Sequence, residues 1–210
     1  IKRSGEWRQG FQAAYAAWQV LQPSVGAVKM EQVIAHVNTV LPDTAIVTNG
    51  AGNYSAWLHR YFQYKTYRTQ LAPTSGSMGY GLPAAVAAKL AHPDREVVCF
   101  AGDGCFQMTM QEFGTAAQYG ANIVVIISNN CSYGTIRMHQ ESQYPGRVSG
   151  TVIQNPNFAE LAKSYGGFGE TVHKTEGFAP ALVRARASGR PAIIELITDH
   201  AALSPRQTLS

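Results

Sequence analysis

Apolar residues in this chain come in two textures that alternate from end to end. Short, nearly continuous runs at 44–48, 97–101, 123–127, 168–172 and 192–197 have the length and content of buried strands. Between and around them lie longer stretches in which apolar residues recur three and four apart. These predict helices over 28–40, 54–61, 84–91, 107–119, 133–141, 158–165 and 175–188. Gln22-Pro23-Ser24, Leu41-Pro42-Asp43, His92-Pro93-Asp94 and Gly166-Gly167 punctuate the pattern. Residues 64–71 read as irregular with a short strand, and the residues after 197 as a polar tail. Residues 142–155, rich in Gly, Pro, Ser and Gln, read as a mobile loop over a site. At the front, residues 1–20 run from a basic start into a helix. Its Trp7, Phe11, Ala14, Tyr15 and Trp18 share one face, expected to pack on this domain or a preceding one. Trp57, Tyr61 and Phe62 read as core or interface, and Arg60, Lys65 and Arg68 as solvated surface. There is no repeat and no internal boundary. The alternation predicts one α/β domain over 1–210, with 1–22 a leading helical segment. Its fold class is a doubly wound, mostly parallel sheet with helices on both faces.

One stretch organises the rest. In 97–132, an apolar run leads through Gly102-Asp103-Gly104 into a helix, then a second apolar run ends at Asn129-Asn130. Gly104 and Asn129 enclose 24 residues (129 − 104 − 1), the size of a strand–helix–strand unit with a right-handed crossover. Parallel neighbouring strands bring their C-terminal ends to about 5 Å apart. Asp103 and Asn130 sit just past those ends, where open α/β sheets bind ligands. Gly104 and Cys105 open the helix, whose first N–H groups are unpaired and favour an anion. A carboxylate and an amide oxygen beside an anion site suit Mg²⁺, which takes about six oxygens and shares them with water and phosphate.

Two further turns have the same character. Asn49-Gly50-Ala51-Gly52-Asn53-Tyr54 follows a strand and opens a helix, a second phosphate cradle. The small residues of 73–83 (PTSGSMGYGLP) let the backbone approach a ligand closely before an alanine-rich helix. Neither Gly-rich turn spells GxGxxG, which argues against a dinucleotide site.

Composition narrows the classes. At 210 residues and 45% hydrophobic content the chain buries one sizeable core. Charged residues are only 14%, which predicts surface covered in an assembly. The net charge of +4 is dispersed without a Lys/Arg run, so nucleic acid is not an expected partner. Cys99, Cys105 and Cys131 have no CxxC spacing, which predicts a reducing, cytoplasmic setting without disulfides or an iron–sulfur cluster. No run reaches transmembrane length and no secretory leader is visible. The first residue is Ile rather than Met, and the chain is expected to be a fragment of a longer polypeptide.

With these motifs in place, the chain resembles the diphosphate-binding C-terminal domain of thiamine-diphosphate-dependent enzymes, acetolactate-synthase-like members above all. GSMGYGLPAA (76–85), AGDGCF (101–106) and ISNN (127–130) carry the likeness, in the family's order and spacing. The resemblance implies thiamine diphosphate with Mg²⁺ held by Asp103, Asn130 and the Ser132 carbonyl. It implies diphosphate contacts from Gly104 and Cys105 N–H groups and from Gly52, Asn53 and Tyr54. Met78 would prop the cofactor in a bent form, with the Gly76 carbonyl and the Met78 N–H on its aminopyrimidine. Ser77, Gly102, Tyr133 and Gly134 complete the implied cofactor-binding set. The implied chemistry is decarboxylation of a 2-oxo acid, the thiazolium acting as electron sink. The remaining fragment is protonated, captured by a second carbonyl, or oxidised. FAD is possible in the full-length protein, on a domain elsewhere.

The resemblance also implies what is missing. No catalytic residue is assigned within the chain, because the family's activating glutamate belongs to a pyrimidine-binding domain that nothing here matches. That domain, and a central one, would come from the same polypeptide or another subunit, in a homodimer or homotetramer. Acetolactate synthases that prefer 2-oxobutyrate carry Trp where this chain has His139, so the acceptor stays open. The family's usual Ser after Gly-Asp-Gly is Cys105, which a backbone role tolerates. Two alternatives stand beside the main reading: the diphosphate-binding subunit of a split 2-oxo acid decarboxylase, and a non-catalytic α/β interaction module.

Overall fold

The computed structural model describes residues 5–209. The basic start at residues 1–4 lies outside the described residues. Helix α1 (Gly5–Gln19) is followed by α2 (Met30–Val40), β1 (Ile46–Asn49), α3 (Ser55–Tyr61), β2 (Gln70–Leu71) and α4 (Gly81–Ala91). Then come β3 (Val97–Gly102), α5 (Asp103–Gln107), α6 (Glu112–Gln118), β4 (Val124–Asn129) and α7 (Gly134–Gln143). The chain continues through α8 (Phe158–Ser164), β5 (Phe168–Val172), α9 (Phe178–Ala187) and β6 (Ala192–Ile197). It closes with a hairpin of β7 (Ala202–Ser204) and β8 (Gln207–Thr208).

Six strands form one sheet in the order β2-β1-β3-β4-β6-β5, and every pair in it is parallel. Alternation along each strand sends side chains to two separate cores. Val98, Phe100, Val124, Ile126 and Ile194 face one core with α2, α3 and α9. Val97, Cys99, Val125, Ile127 and Ile193 face the other with α4, α6 and α8. Both faces are covered, which is why the strands read as unbroken apolar runs. Complete burial pushes the Cys99 thiol up to about 12, so it stays neutral packing material.

The helices after β1 and β3 belong to opposite cores, Trp57 and Leu58 of α3 to one, Phe113 and Ala116 of α6 to the other. The sheet therefore opens a crevice at the C-terminal ends of its central strands. No helix among the described residues is long and apolar enough to cross a membrane.

Four features differ from the sequence pattern. The helix expected at 107–119 begins at Asp103 and breaks between α5 and α6, where the Thr109 hydroxyl donates to the Gly79 carbonyl at 2.8 Å. The expected polar tail forms the β7–β8 hairpin, with Leu203 buried. The end of the expected mobile loop is pinned: Val152 bridges Ser132, Tyr133 N donates to Thr151 O at 2.9 Å, and Ile153 N to Cys131 O at 2.9 Å. Arg60 is buried rather than solvated, at 5% exposure. Its Nε donates to Trp18 O at 2.8 Å, and its guanidinium lies over the Trp18 and Tyr61 rings at 5.4 and 5.1 Å.

Arg60 thereby fastens α1, none of whose own residues is buried. The stacking and the hydrogen bond together are worth about 1–3 kcal/mol. Arg60→Ala is expected to raise amide exchange across 5–19 while β3 and β4 keep their protection. Unchanged exchange in α1 would mean that other contacts hold it.

Candidate functional site

Three loops converge at the crevice. Parallel pairing sets Gly102 opposite Ser128, so Asp103 emerges beside the Asn129-Asn130 turn. The β1–α3 turn reaches the same edge from the other side, because β1 pairs β3 through Asn49 and Phe100. The cleft between them is lined by Gly52, Asn53, Tyr54 and Met78 from one side. Asp103, Gly104, Cys105, Asn130, Ser132, Tyr133 and Gly134 line the other.

Asp103 is 3% exposed. Its Oδ1 accepts from its neighbour Gly104 N at 2.9 Å and its Oδ2 from Asn155 Nδ2 at 2.7 Å. Burial lifts its carboxyl above the ordinary value, and the Asn155 amide and the N–H groups of Gly104, Cys131 and Ser132 counter that lift. The Asn129-Asn130 turn is built from two side-chain–backbone bonds: Cys131 N donates to Asn129 Oδ1 at 3.2 Å, Ser132 N to Asn130 Oδ1 at 3.1 Å. Cys131 takes a left-handed φ of 53° between them, which brings Ser132 back toward Asp103.

The Gly-rich turns are locked to this centre by close packing. The Tyr54 ring lies under Gly102, where an added Cβ would meet Cδ1 at 2.8 Å, and the Tyr133 ring lies on Gly104 at 2.6 Å. Tyr54 Oη donates to Cys105 Sγ at 3.4 Å, and Gly79 N donates to the same sulfur at 3.2 Å. Burial first, then Cys105, holds the Tyr54 hydroxyl far above its ordinary pKa, so it remains a donor. Gly79, at a φ of 79°, is thus held at both its N–H and its carbonyl, next to Met78. Thr135 Oγ1 donates to Asn53 Oδ1 at 2.9 Å, tying the β1–α3 turn to the start of α7.

Among the described residues no three His, Cys, Asp or Glu side chains cluster as a metal cage. What the cleft offers is one carboxylate with amide and carbonyl oxygens beside small-residue backbone, the donor set of a hard cation that shares its shell with phosphate.

The family model described as "Thiamine pyrophosphate enzyme, C-terminal TPP binding domain" matches residues 50–196. The chain belongs to this family. As a thiamine pyrophosphate enzyme domain it is 36% identical over 178 residues to the acetolactate synthase large subunit of Parasynechococcus marenigrum (strain WH8102), covering 84% of this chain and 29% of that protein. It is 40% identical over 157 residues to the acetolactate synthase of Arthrospira platensis, covering 74% of this chain and 27% of that protein. A solved structure of the Rhodococcus jostii RHA1 thiamine diphosphate-dependent 4-hydroxybenzoylformate decarboxylase superposes with a TM-score of 0.78 at 35% identity, covering 85% of this chain and 34% of that one. The thiamine pyrophosphate domain described here thus spans under a third of the length of its acetolactate synthase relatives.

Within this thiamine pyrophosphate domain, twelve of the fourteen sequence-predicted site residues line the cleft; Gly76 and Ser77 do not. Both are exposed, and the Ser77 hydroxyl pairs with Ser75 at 2.8 Å. His139 is exposed on α7, away from the lining. Three polar residues around Asp103 were not singled out by sequence, Gln107, Asn155 and Glu195; Asn129 was read as part of the Asn-Asn turn but given no role of its own. The signals for Asn155 were its place at the end of the 142–155 loop expected over the site and its place before Pro156, which marks a turn; neither points to Asp103.

Proposed function

We propose that this chain is the diphosphate-binding part of an acetolactate-synthase-like 2-oxo acid carboligase or decarboxylase. The observation that supports this best is the convergence of Asp103, Asn130 and Ser132 with the Gly52–Tyr54 turn and Met78 on one cleft. In this reading Asp103 and Asn130, through side-chain oxygens, and Ser132, through its carbonyl, would hold the Mg²⁺ that accompanies the diphosphate. The backbone at Cys105, and the turn at Gly52, Asn53 and Tyr54, would receive the diphosphate, with Gly104 N–H joining them only if it leaves Asp103 Oδ1, to which it donates at 2.9 Å. The bound cofactor supplies the electron sink for loss of CO₂ from the substrate.

The chain's own residues position and enclose. Met78, with the loop held at Gly79 by Cys105 and Thr109, gives a fixed apolar support beside the cleft. Tyr54 and Tyr133 pack over the two glycines of Gly-Asp-Gly and keep water from the turn. The activating acid is outside this chain, so activity requires a pyrimidine-binding domain from the same polypeptide or another subunit. The exposed aromatic side chains of α1, Trp7, Phe11 and Tyr15, suit contact with such a neighbour. Any FAD would be carried elsewhere in the full-length protein.

Isothermal titration of the full-length protein with thiamine diphosphate, with and without Mg²⁺, tests the reading. Binding that requires Mg²⁺ is the expected result; no binding under either condition would overturn it. Supplying pyruvate alone and then with a second 2-oxo acid, and identifying the products, separates decarboxylase from carboligase.

A further inference from the structure

Asp103 does not stand alone in its pocket. The Asn155 amide donates to Asp103 Oδ2 at 2.7 Å and to Asn129 Oδ1 at 2.7 Å. Its own Oδ1 accepts from Gln107 Nε2 at 2.7 Å. Asn129 in turn donates to Glu195 Oε1 at 2.7 Å, and Thr171 Oγ1 donates to Glu195 Oε2 at 2.9 Å. Asn129 and Glu195 are buried, at 6% and 3% exposure. Carboxylates at the two ends, Asp103 and Glu195, accept only. They fix which way each amide between them points, because a flipped Asn155 or Asn129 would set oxygen against oxygen. The amide NH₂ of Asn155 has two hydrogens and both are used.

We infer that Asn155 is a positioning residue for the metal-binding carboxylate: it holds one oxygen of Asp103 and so aims the other face of the carboxylate into the cleft. The inference rests on the proposed metal role of Asp103. The network runs from β5 at the sheet's margin through β6 and β4 to the start of α5, so residues of three strands bear on the carboxylate's direction. Gln107, one turn along α5 from Asp103, locks the Asn155 side chain from behind. Partners of metal ligands placed this way typically affect metal affinity by 10–100-fold.

The test is uptake of Mn²⁺ by the full-length protein at saturating thiamine diphosphate, read from the free Mn²⁺ signal in electron paramagnetic resonance and requiring no turnover. Asn155→Ala removes the side chain; Asn155→Asp keeps its size and replaces the donor by an acceptor. Both are expected to weaken Mn²⁺ binding ~10–100-fold; the metal-free Asn155→Ala protein should melt closer to wild type than Asn155→Asp, in which two carboxylates face each other. Asp103→Ala is the control and should bind no Mn²⁺ in the working range. Wild-type affinity in both Asn155 variants, with Asp103→Ala defective, overturns the positioning role and leaves the metal reading standing. Wild-type affinity in Asp103→Ala, or no uptake by wild type, overturns both. If the Asn155 variants do not fold, Gln107→Leu leaves Asn155 in place without its lock. A severalfold weakening there supports the inference, and none overturns it.

Discussion

Asp103→Ala is expected to lower the affinity for thiamine diphosphate with Mg²⁺ by at least ~100-fold and to abolish turnover of the full-length enzyme. The bound is conservative, since ~10–100-fold is the usual cost of losing a group that merely supports a metal ligand. Among the described residues lining the cleft Asp103 is the one carboxylate, so its removal takes away the charge this chain sets against the cation. Asp103→Asn separates charge from shape. It keeps an oxygen at the same place and should still lose most of the affinity, because a neutral amide cannot offset the double charge of Mg²⁺. Titration calorimetry of the two variants beside wild type reads both effects; unchanged affinity in either would move the cation elsewhere in the cleft.

The same residue sets a pH dependence. Burial raises the Asp103 carboxyl above its ordinary value, so a proton competes with the cation at a higher pH than at an exposed aspartate. Metal affinity should fall about tenfold per pH unit once the pH is below that raised value. The metal-free protein responds in the opposite sense. With the folded-state value above the unfolded one, this group's ionised form costs stability at neutral pH. That cost is relieved as pH falls through the folded value, until the unfolded chain protonates as well. Comparing melts of metal-free wild type and Asp103→Ala across this range isolates the contribution of the one residue.

Most of the sheet was legible because its strands are covered on both faces, and such strands appear in sequence as unbroken apolar runs. β3 and β4 were read within a residue or two, and with them the placement of Asp103 and Asn130 at one edge. β2, with two residues at the sheet's margin, carries too little pattern to bound. The break between α5 and α6 was not legible, because the Thr109 hydroxyl bonds a carbonyl 30 positions earlier. Arg60 looked like surface for a similar reason: what buries it is Trp18, 42 positions back in α1. Asn155 is the sharpest case. Locally it is a turn residue before proline. Its contact with Asp103 spans 52 positions and exists only because the 142–155 segment returns along the Asn130–Ser132 turn. Gly76 and Ser77 show the reverse. Motif order implied a role for them, and in the structure both are exposed and lie outside the residues that line the cleft.

Gly50→Ala is the second large effect expected, and its rescue is as informative as the damage. Nothing in the sequence distinguishes Gly50 from the other small residues of its turn. In the structure an added Cβ there would lie 2.3 Å from Cys105 Sγ and 3.2 Å from the Tyr54 hydroxyl. Cys105 cannot swing away freely, because its sulfur accepts from both Tyr54 and Gly79 and is 3% exposed. One extra methyl group in such a place costs about 1–3 kcal/mol. It also pushes apart the two turns proposed to receive the diphosphate, so cofactor affinity should fall together with stability. Cys105→Ala removes the sulfur that the methyl group would strike, at a cost of its own of about 1 kcal/mol for the small void and lost contacts. The double variant Gly50→Ala/Cys105→Ala should therefore be more stable than Gly50→Ala alone, with a favourable coupling of about 0.5–3 kcal/mol in a double-mutant cycle of denaturant melts. Additive losses would mean that the clash is relieved by backbone movement rather than at the sulfur. Cys105→Ser, the family's usual residue at this position, keeps a hydrogen-bonding atom on a shorter bond. It should leave cofactor binding near wild type, which would place the importance of residue 105 in its backbone and its fit against Gly50, not in thiol chemistry.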